Sequence, residues 1–277
     1  MQFILFTDNL SDLGVPELCQ AVKKAGFDGV DLTLRPGGHV KPADAEVGMA
    51  EARRHADAAG LAIPMVTTAI TDVSSPQAEA VFAAAAHYGA RHLKLGYWEY
   101  RPFGTVAKQL DDAQHKLERL VRLGRKYNVL PCIHCHSGAV LPNNGAFLYL
   151  LLRDFKPTEA GAYVDTMHMA IEGGLSGWEM GLDLVAPWIT LVGVKNFRWI
   201  AAGRDGHGQK QFKVMYTPLA DGQSPLPEFA ARLKQLQYDG IFSLHSEYKG
   251  NESFRKLSTP GLLEQSTSDL NYLKTLL

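Results

Sequence analysis

The sequence predicts a (β/α)8 TIM barrel, a single domain over residues 1–277. Three observations carry the prediction. Eight short apolar, β-branched runs alternate with longer helix-like stretches, the order expected of a parallel sheet wrapped by helices. Several of those stretches close on a glycine and pass into the next run, as in Ala25-Gly26-Phe27, Ala59-Gly60-Leu61, Tyr88-Gly89-Ala90 and Tyr238-Asp239-Gly240. Glycine past a helix C-terminus takes up the left-handed conformation without steric cost. The length is also close to the roughly 250 residues typical of this barrel. A doubly wound open sheet is the competing architecture. Its Gly-rich dinucleotide fingerprint is missing after the first run, where Phe6-Thr7-Asp8-Asn9-Leu10 stands.

In order, the strands are expected at 2–7, 28–33, 62–68, 91–96, 128–134, 161–165, 189–195 and 240–246. The first helix, 15–25, follows a start signal at Ser11/Asp12. Helices 43–59 and 76–88 are Ala-rich, and alanine has the highest helix propensity. The stretch 106–127 carries Leu110, Leu117, Leu120, Val121 and Leu123 at helical spacing. Helices 226–236 and 262–276 complete the series. The widest interval between strand starts is the last, and its excess is the Gly-rich, charged segment 197–223. It reads as a long loop on the catalytic face of the barrel, a lid or an interface. No linker or charge block marks a second domain.

Charge limits the partners. With 28 Lys+Arg against 29 Asp+Glu the formal charge is −1, which argues against nucleic acid or an anionic membrane as a partner, since both need a basic footprint. No apolar run approaches the roughly 20 residues of a membrane span, and the N-terminus lacks signal-peptide features. Three cysteines do not make a disulfide framework, so a cytoplasmic setting is expected. A small-molecule substrate is the expected partner, and a homo-oligomer is compatible with the composition.

In such a barrel the chemistry sits at the C-terminal strand ends. Those ends hold Thr7-Asp8; Asp31, Thr33, Arg35 and then His39; Thr67-Thr68; His92 and Lys94; His134-Cys135-His136-Ser137; Asp165-Thr166-Met167-His168; Lys195-Asn196; and His245-Ser246-Glu247. Histidines and carboxylates converging from several strand ends suit a divalent metal. Cys132-Ile133-His134-Cys135 has redox spacing, but residues three apart on a strand point to opposite faces. Lys195 is read as a ligand for a substrate oxygen or a Schiff-base former. Arg35 offers a planar fork for a carboxylate or phosphate. The cluster Tyr97-Trp98-Glu99-Tyr100 is read as a sugar-stacking surface or a cap on the barrel, and Asp205-Gly206-His207 as a turn or a loop ligand pair.

With these residues in view, the chain resembles the xylose-isomerase-like barrel superfamily, which includes sugar phosphate isomerases/epimerases and family 2 AP endonucleases. The resemblance rests on Gly29-Val30-Asp31-Leu32-Thr33-Leu34-Arg35-Pro36-Gly37-Gly38-His39-Val40, Ile133-His134-Cys135-His136-Ser137-Gly138, Tyr163-Val164-Asp165-Thr166-Met167-His168, Val192-Gly193-Val194-Lys195-Asn196 and Ser243-Leu244-His245-Ser246-Glu247-Tyr248. In the epimerases it implies one metal held by Glu, Asp, His and Glu from strands five to eight, the two glutamates serving as acid and base. Asp165 and Glu247 match that pattern. His168 matches a histidine near the substrate in the epimerases and on the metal in the endonucleases. The strand-five glutamate falls on His134 and the strand-seven histidine on Gly193. The first departure removes one carboxylate base; the second removes a ligand unless His136, His168 or His207 replaces it.

The resulting expectation is a metal-dependent isomerase or epimerase acting on a sugar through an enediolate. His134, Asp165 and Glu247 are expected as metal ligands, and mixed N/O ligation suits Mn²⁺ or Zn²⁺, then Co²⁺ or Ni²⁺. Glu247, His168 and Lys195 are assigned to catalysis. Arg35, His39, Trp98, His136 and Asn196 are assigned to substrate binding. The alternatives are a lyase or hydrolase on a keto-sugar or glycoside, a DNA-repair endonuclease, which the charge balance disfavours, and a non-catalytic sugar-binding paralogue.

Overall fold

A computed structural model describes residues 1–277. In chain order its strands are β1 (Gln2–Phe6), β2 (Gly29–Thr33), β3 (Ala62–Thr67), β4 (His92–Lys94), β5 (Trp98–Glu99), β6 (Leu130–His134), β7 (Val140–Leu141), β8 (Gly161–Asp165), β9 (Ile189–Val194), β10 (Asn196–Arg204), β11 (Lys210–Thr217) and β12 (Ile241–Leu244). Eight of them close a parallel barrel in the order β1-β12-β9-β8-β6-β4-β3-β2. Closure comes from β1 on β12, with Gln2 opposite Ile241 and Leu5 opposite Leu244. All eight expected strands are the barrel strands, and the (β/α)8 expectation holds.

The main core lies between the barrel and its helices. A smaller cluster of Ile4, Met65, Cys132, Tyr163, Leu191 and Ile241 fills the barrel interior. Cys132 belongs to this inner cluster and Cys135 to the outer core. Their side chains thus diverge as strand alternation requires, and both are free.

Segment 197–223 corrects an expectation. It is largely the antiparallel hairpin β10/β11, from Asn196 opposite Thr217 to Arg204 opposite Lys210, with a bulge between Ala201 and Arg204. Its base docks through buried Phe197 against Met167 and Ala170, while its tip is exposed. Strand pairing was hidden because charge and glycine break the alternation.

Three helices were not anticipated: Gly145–Leu152, Thr166–Gly173 and Gly177–Val185. The first is apolar nearly all round and carries no helical periodicity. The first and third approach so closely that a Cβ on Gly145 would stand 2.3 Å from the Gly181 Cα. Glycines that weaken helix propensity are here the condition for helix packing.

Candidate active site and metal centre

His134 ends β6 and Asp165 ends β8, so both project into the barrel mouth. Asp165 also caps the helix Thr166–Gly173: its Oδ1 accepts from the backbone N–H groups of Met167 and His168, each at 2.9 Å. An N-cap carboxylate satisfies exposed helix donors, and here it also fixes His168 one turn above Asp165. The other oxygen, Oδ2, faces His134 Nε2 at 3.3 Å. His134, Asp165 and His168 each present one donor atom, all within 4.8 Å of one another.

Each imidazole is held from behind. Tyr97 OH lies 2.8 Å from His134 Nδ1, and Ser137 Oγ lies 2.8 Å from His168 Nδ1. His168 Nε2 is buried and has no hydrogen-bond partner. Burial, followed by the positive charges of nearby lysines, pushes the pKa of both rings well below the usual histidine range. They are therefore neutral, each with a lone pair to give. Two neutral imidazoles, one carboxylate and an orphaned ring nitrogen aimed into the cluster fit a divalent transition ion, and the Tyr97 and Ser137 contacts are the outer partners such ligands need.

His245 forms the floor. Its Nε2 lies 2.7 Å from Tyr163 OH, which donates in turn to Asp31 Oδ2 at 3.2 Å. Its Nδ1 lies 4.0 Å from both Asp165 Oδ2 and Glu247 Oε1. With Nε2 donating to Tyr163, Nδ1 carries the lone pair toward the cluster. Asp31 is fully buried, and burial raises its pKa despite the hydroxyls of Thr67, Ser243 and Tyr163.

The mouth encloses a cavity of about 550 Å³ lined by His134, His136, Lys195, His245, Glu247, Arg35, Lys94 and Tyr97, among others. Lys195 Nζ lies 3.0 Å from Glu247 Oε1. The Lys195 backbone is tied to Thr166 Oγ1 through both its N–H and its C=O. Arg35 Nη2 lies 2.5 Å from Asp8 Oδ1. His136 packs against His168, the rings tilted by 38° with centroids 3.7 Å apart, and burial pulls the His136 pKa down to about 4.

Several expected residues stand elsewhere. Glu247, expected on the metal, lies on the cavity wall and pairs with Lys195, and His168, assigned to catalysis and named as a replacement ligand, joins His134 and Asp165 in the compact cluster. His39 does not reach the cavity wall; its ring is pinned between Thr33 Oγ1 and the Leu10 carbonyl, each at 3.1 Å. Trp98 turns into the core, 7% exposed, and donates to the Thr71 carbonyl. Its neighbour Tyr97 takes the cavity position, a one-residue difference in facing that loop sequence does not encode. Asn196 braces the hairpin base, donating to the Leu219 carbonyl at 2.7 Å and accepting from Phe197 and Ser224 N–H. Lys94 and His245 stood at strand ends without an individual role; inward alternation along β4 and β12 was the available signal.

Comparison with known proteins agrees with this architecture. The model of the xylose isomerase-like TIM barrel family matches residues 19–274. No curated protein sequence matches the chain. Among solved structures, a D-allulose 3-epimerase from a Methylomonas species is 15% identical, with a TM-score of 0.74 over 100% of this chain and 98% of that one. The 3-keto-D-glucoside 4-epimerase of E. coli is 13% identical, with a TM-score of 0.72 over 99% of each chain. A xylose isomerase-like TIM barrel protein from Mycobacterium smegmatis, in complex with magnesium, is 15% identical, with a TM-score of 0.70 over 100% of this chain and 97% of that one. Likeness at these identities is a likeness of fold.

Proposed function

Because this chain belongs to the xylose isomerase-like TIM barrel family, we propose that it is a divalent-metal-dependent isomerase or epimerase of a sugar derivative. The observation that carries the reading is the proximity of two groups: the His134–Asp165–His168 cluster, which reaches the mouth cavity through His134, and the Lys195–Glu247 pair on the wall of that cavity. His134, Asp165 and His168 would hold the ion, with His245 Nδ1 next in reach. Two nitrogen donors favour Mn²⁺ or Zn²⁺, then Co²⁺ or Ni²⁺, over Mg²⁺. When bound, such an ion supplies Lewis-acid polarisation of a substrate carbonyl.

The chain's own residues do the rest. Glu247 takes the proton from the carbon beside the carbonyl, as positioned carboxylates do in general base catalysis. Lys195 orients that carboxylate and keeps a positive charge beside the oxygen on which negative charge grows. Arg35 and His136 bind hydroxyl oxygens on the cavity wall. The same reading places the enzyme in the cytoplasm, where Cys19, Cys132 and Cys135 stay reduced.

A second reading, elimination from or hydrolysis of a keto-glycoside, is favoured by one feature. With His134 at the end of strand five, Glu247 is the one carboxylate close to the ends of strands five to eight that faces the cavity outside the His/Asp cluster, Glu252 standing further along the loop after strand eight. One base suffices for elimination, whereas inverting a carbon needs proton carriers on both faces.

The test is metal content by elemental mass spectrometry, joined to product analysis on keto-sugars and keto-glycosides. About one equivalent of a transition metal in the wild type, lost in His134→Ala and His168→Ala, is expected. A product of unchanged mass supports isomerisation; a released aglycone supports the second reading. A wild type that takes up no metal on reloading sinks both.

A further inference from the structure

Three cationic side chains face the mouth cavity: Arg35, Lys94 and Lys195. Two have partners within the chain, Arg35 in Asp8 and Lys195 in Glu247. Lys94 has none. It is 3% exposed, and its Nζ stands 3.6 Å from the centroid of the Tyr97 ring, with no oxygen of the chain accepting from it. Asp31, two strands away in the barrel, does not serve, because its oxygens already accept from Thr67, Ser243 and Tyr163. A ring face offsets only part of the cost of desolvating an ammonium. Burial, with Arg35 adding to it, pulls the Lys94 amine down to about 7. It therefore takes up a proton readily once a negative charge comes alongside.

The placement gives this cation a use. β4, which carries Lys94, and β12, which leads to Glu247, stand on opposite walls of the eight-strand ring. A substrate with its reacting carbon near Glu247 would extend toward Lys94. We infer that Lys94 is the receptor for a carboxylate carried by the substrate, which makes the substrate a sugar acid. The inference deepens the isomerase reading and rests on it. A phosphate is disfavoured by charge and shape. A dianion calls for two free cations or an open arginine fork, and here the Arg35 fork already holds Asp8 while Lys94 alone is unpaired.

The test compares three six-carbon ligands by calorimetry on wild type and Lys94→Met: D-gluconate, D-sorbitol and D-glucose 6-phosphate. Gluconate is expected to bind about tenfold or more tighter than sorbitol, and Lys94→Met, shown to be folded by circular dichroism, is expected to erase that advantage. Equal measurable affinities, a preference for the phosphate, or an advantage that survives Lys94→Met overturns the inference. A second measurement stands apart from the sugar reading: glycolate against ethylene glycol, followed by NMR of the ¹³C-methylated Lys94 amine. A rise of about one pKa unit with glycolate alone, while no aldonate binds, upholds the carboxylate receptor and sinks the sugar reading. An amine indifferent to glycolate sinks the receptor itself.

Discussion

Gly193 lies directly against the carboxylate of Asp165: a Cβ built on Gly193 would stand 2.8 Å from Asp165 Oδ2. The two residues are paired across β8 and β9. The family resemblance implies a histidine at this position, where the chain has Gly193. A side chain on Gly193 would crowd Asp165 Oδ2 where that oxygen now stands, and His168 presents its ring from the helix above. Gly193→Ala should push Asp165 Oδ2 out of line with His134. The expected outcome is metal affinity reduced by about tenfold to a hundredfold, the range for disturbing a ligand's supports, with little change in melting temperature. Affinity measured by competition with a calibrated chelator checks it; an unchanged value would show that the carboxylate moves aside freely.

Ser137 offers a second lever on the same cluster. Its Oγ lies 2.8 Å from His168 Nδ1 and fixes which face of the ring Nε2 presents. Ser137→Ala should leave the fold intact and weaken metal binding by a factor within the same range. Ser137→Thr, which keeps the hydroxyl, should restore most of the affinity. Parallel chelator competitions on the two variants decide the matter.

Acid should destabilise the metal-free protein before it protonates most carboxylates. His136 is held at about 4 by burial, and His134, His168 and His245 are pushed well below their ordinary value of 6.5 for the same reason. Between those folded values and 6.5 the unfolded chain binds more protons, so stability rises with pH there and falls as pH drops. His136 alone accounts for on the order of 3 kcal/mol across the window. Asp31 and Asp269, raised by burial, act with the opposite sign, but they are two groups against six lowered histidines, His39 and His92 included. Urea denaturation of chelator-treated protein should show a midpoint falling steadily from pH 6.5 toward pH 4. A flat midpoint would mean that the imidazoles hydrate or rearrange without cost.

The barrel was legible because it rests on local patterns. Gly26, Gly60 and Gly89 punctuate helix ends with positive φ, and each strand is a short apolar run. The site was legible to the extent that it sits at strand ends. His134 and Asp165 come straight off β6 and β8, so their meeting follows from register alone. His168 joins the His/Asp cluster and Glu247 pairs with Lys195, an arrangement that no spacing reveals. Asp165 spends one oxygen on the helix cap that brings in His168, and Lys195 holds Glu247 aside. Trp98 and Asn196 were misplaced because residues beyond the end of a barrel strand lose its alternation, and their facing is then set by tertiary packing.

Asn196 shows what that misplacement implies. The residue is 2% exposed, and its amide satisfies three backbone groups: the Leu219 carbonyl and the N–H groups of Phe197 and Ser224. Those bonds tie the start of β10 to the chain that returns from the hairpin. Asn196→Ala leaves buried donors and an acceptor unpaired, at about 1–3 kcal/mol for each such group. It should therefore lower the melting temperature by several degrees and loosen the hairpin base, read as faster amide exchange at Phe197 and Ser224. Substrate KM should change far less than in Arg35→Ala, since Arg35 lines the cavity and Asn196 does not. A variant with normal stability and a strongly raised KM would return Asn196 to the substrate.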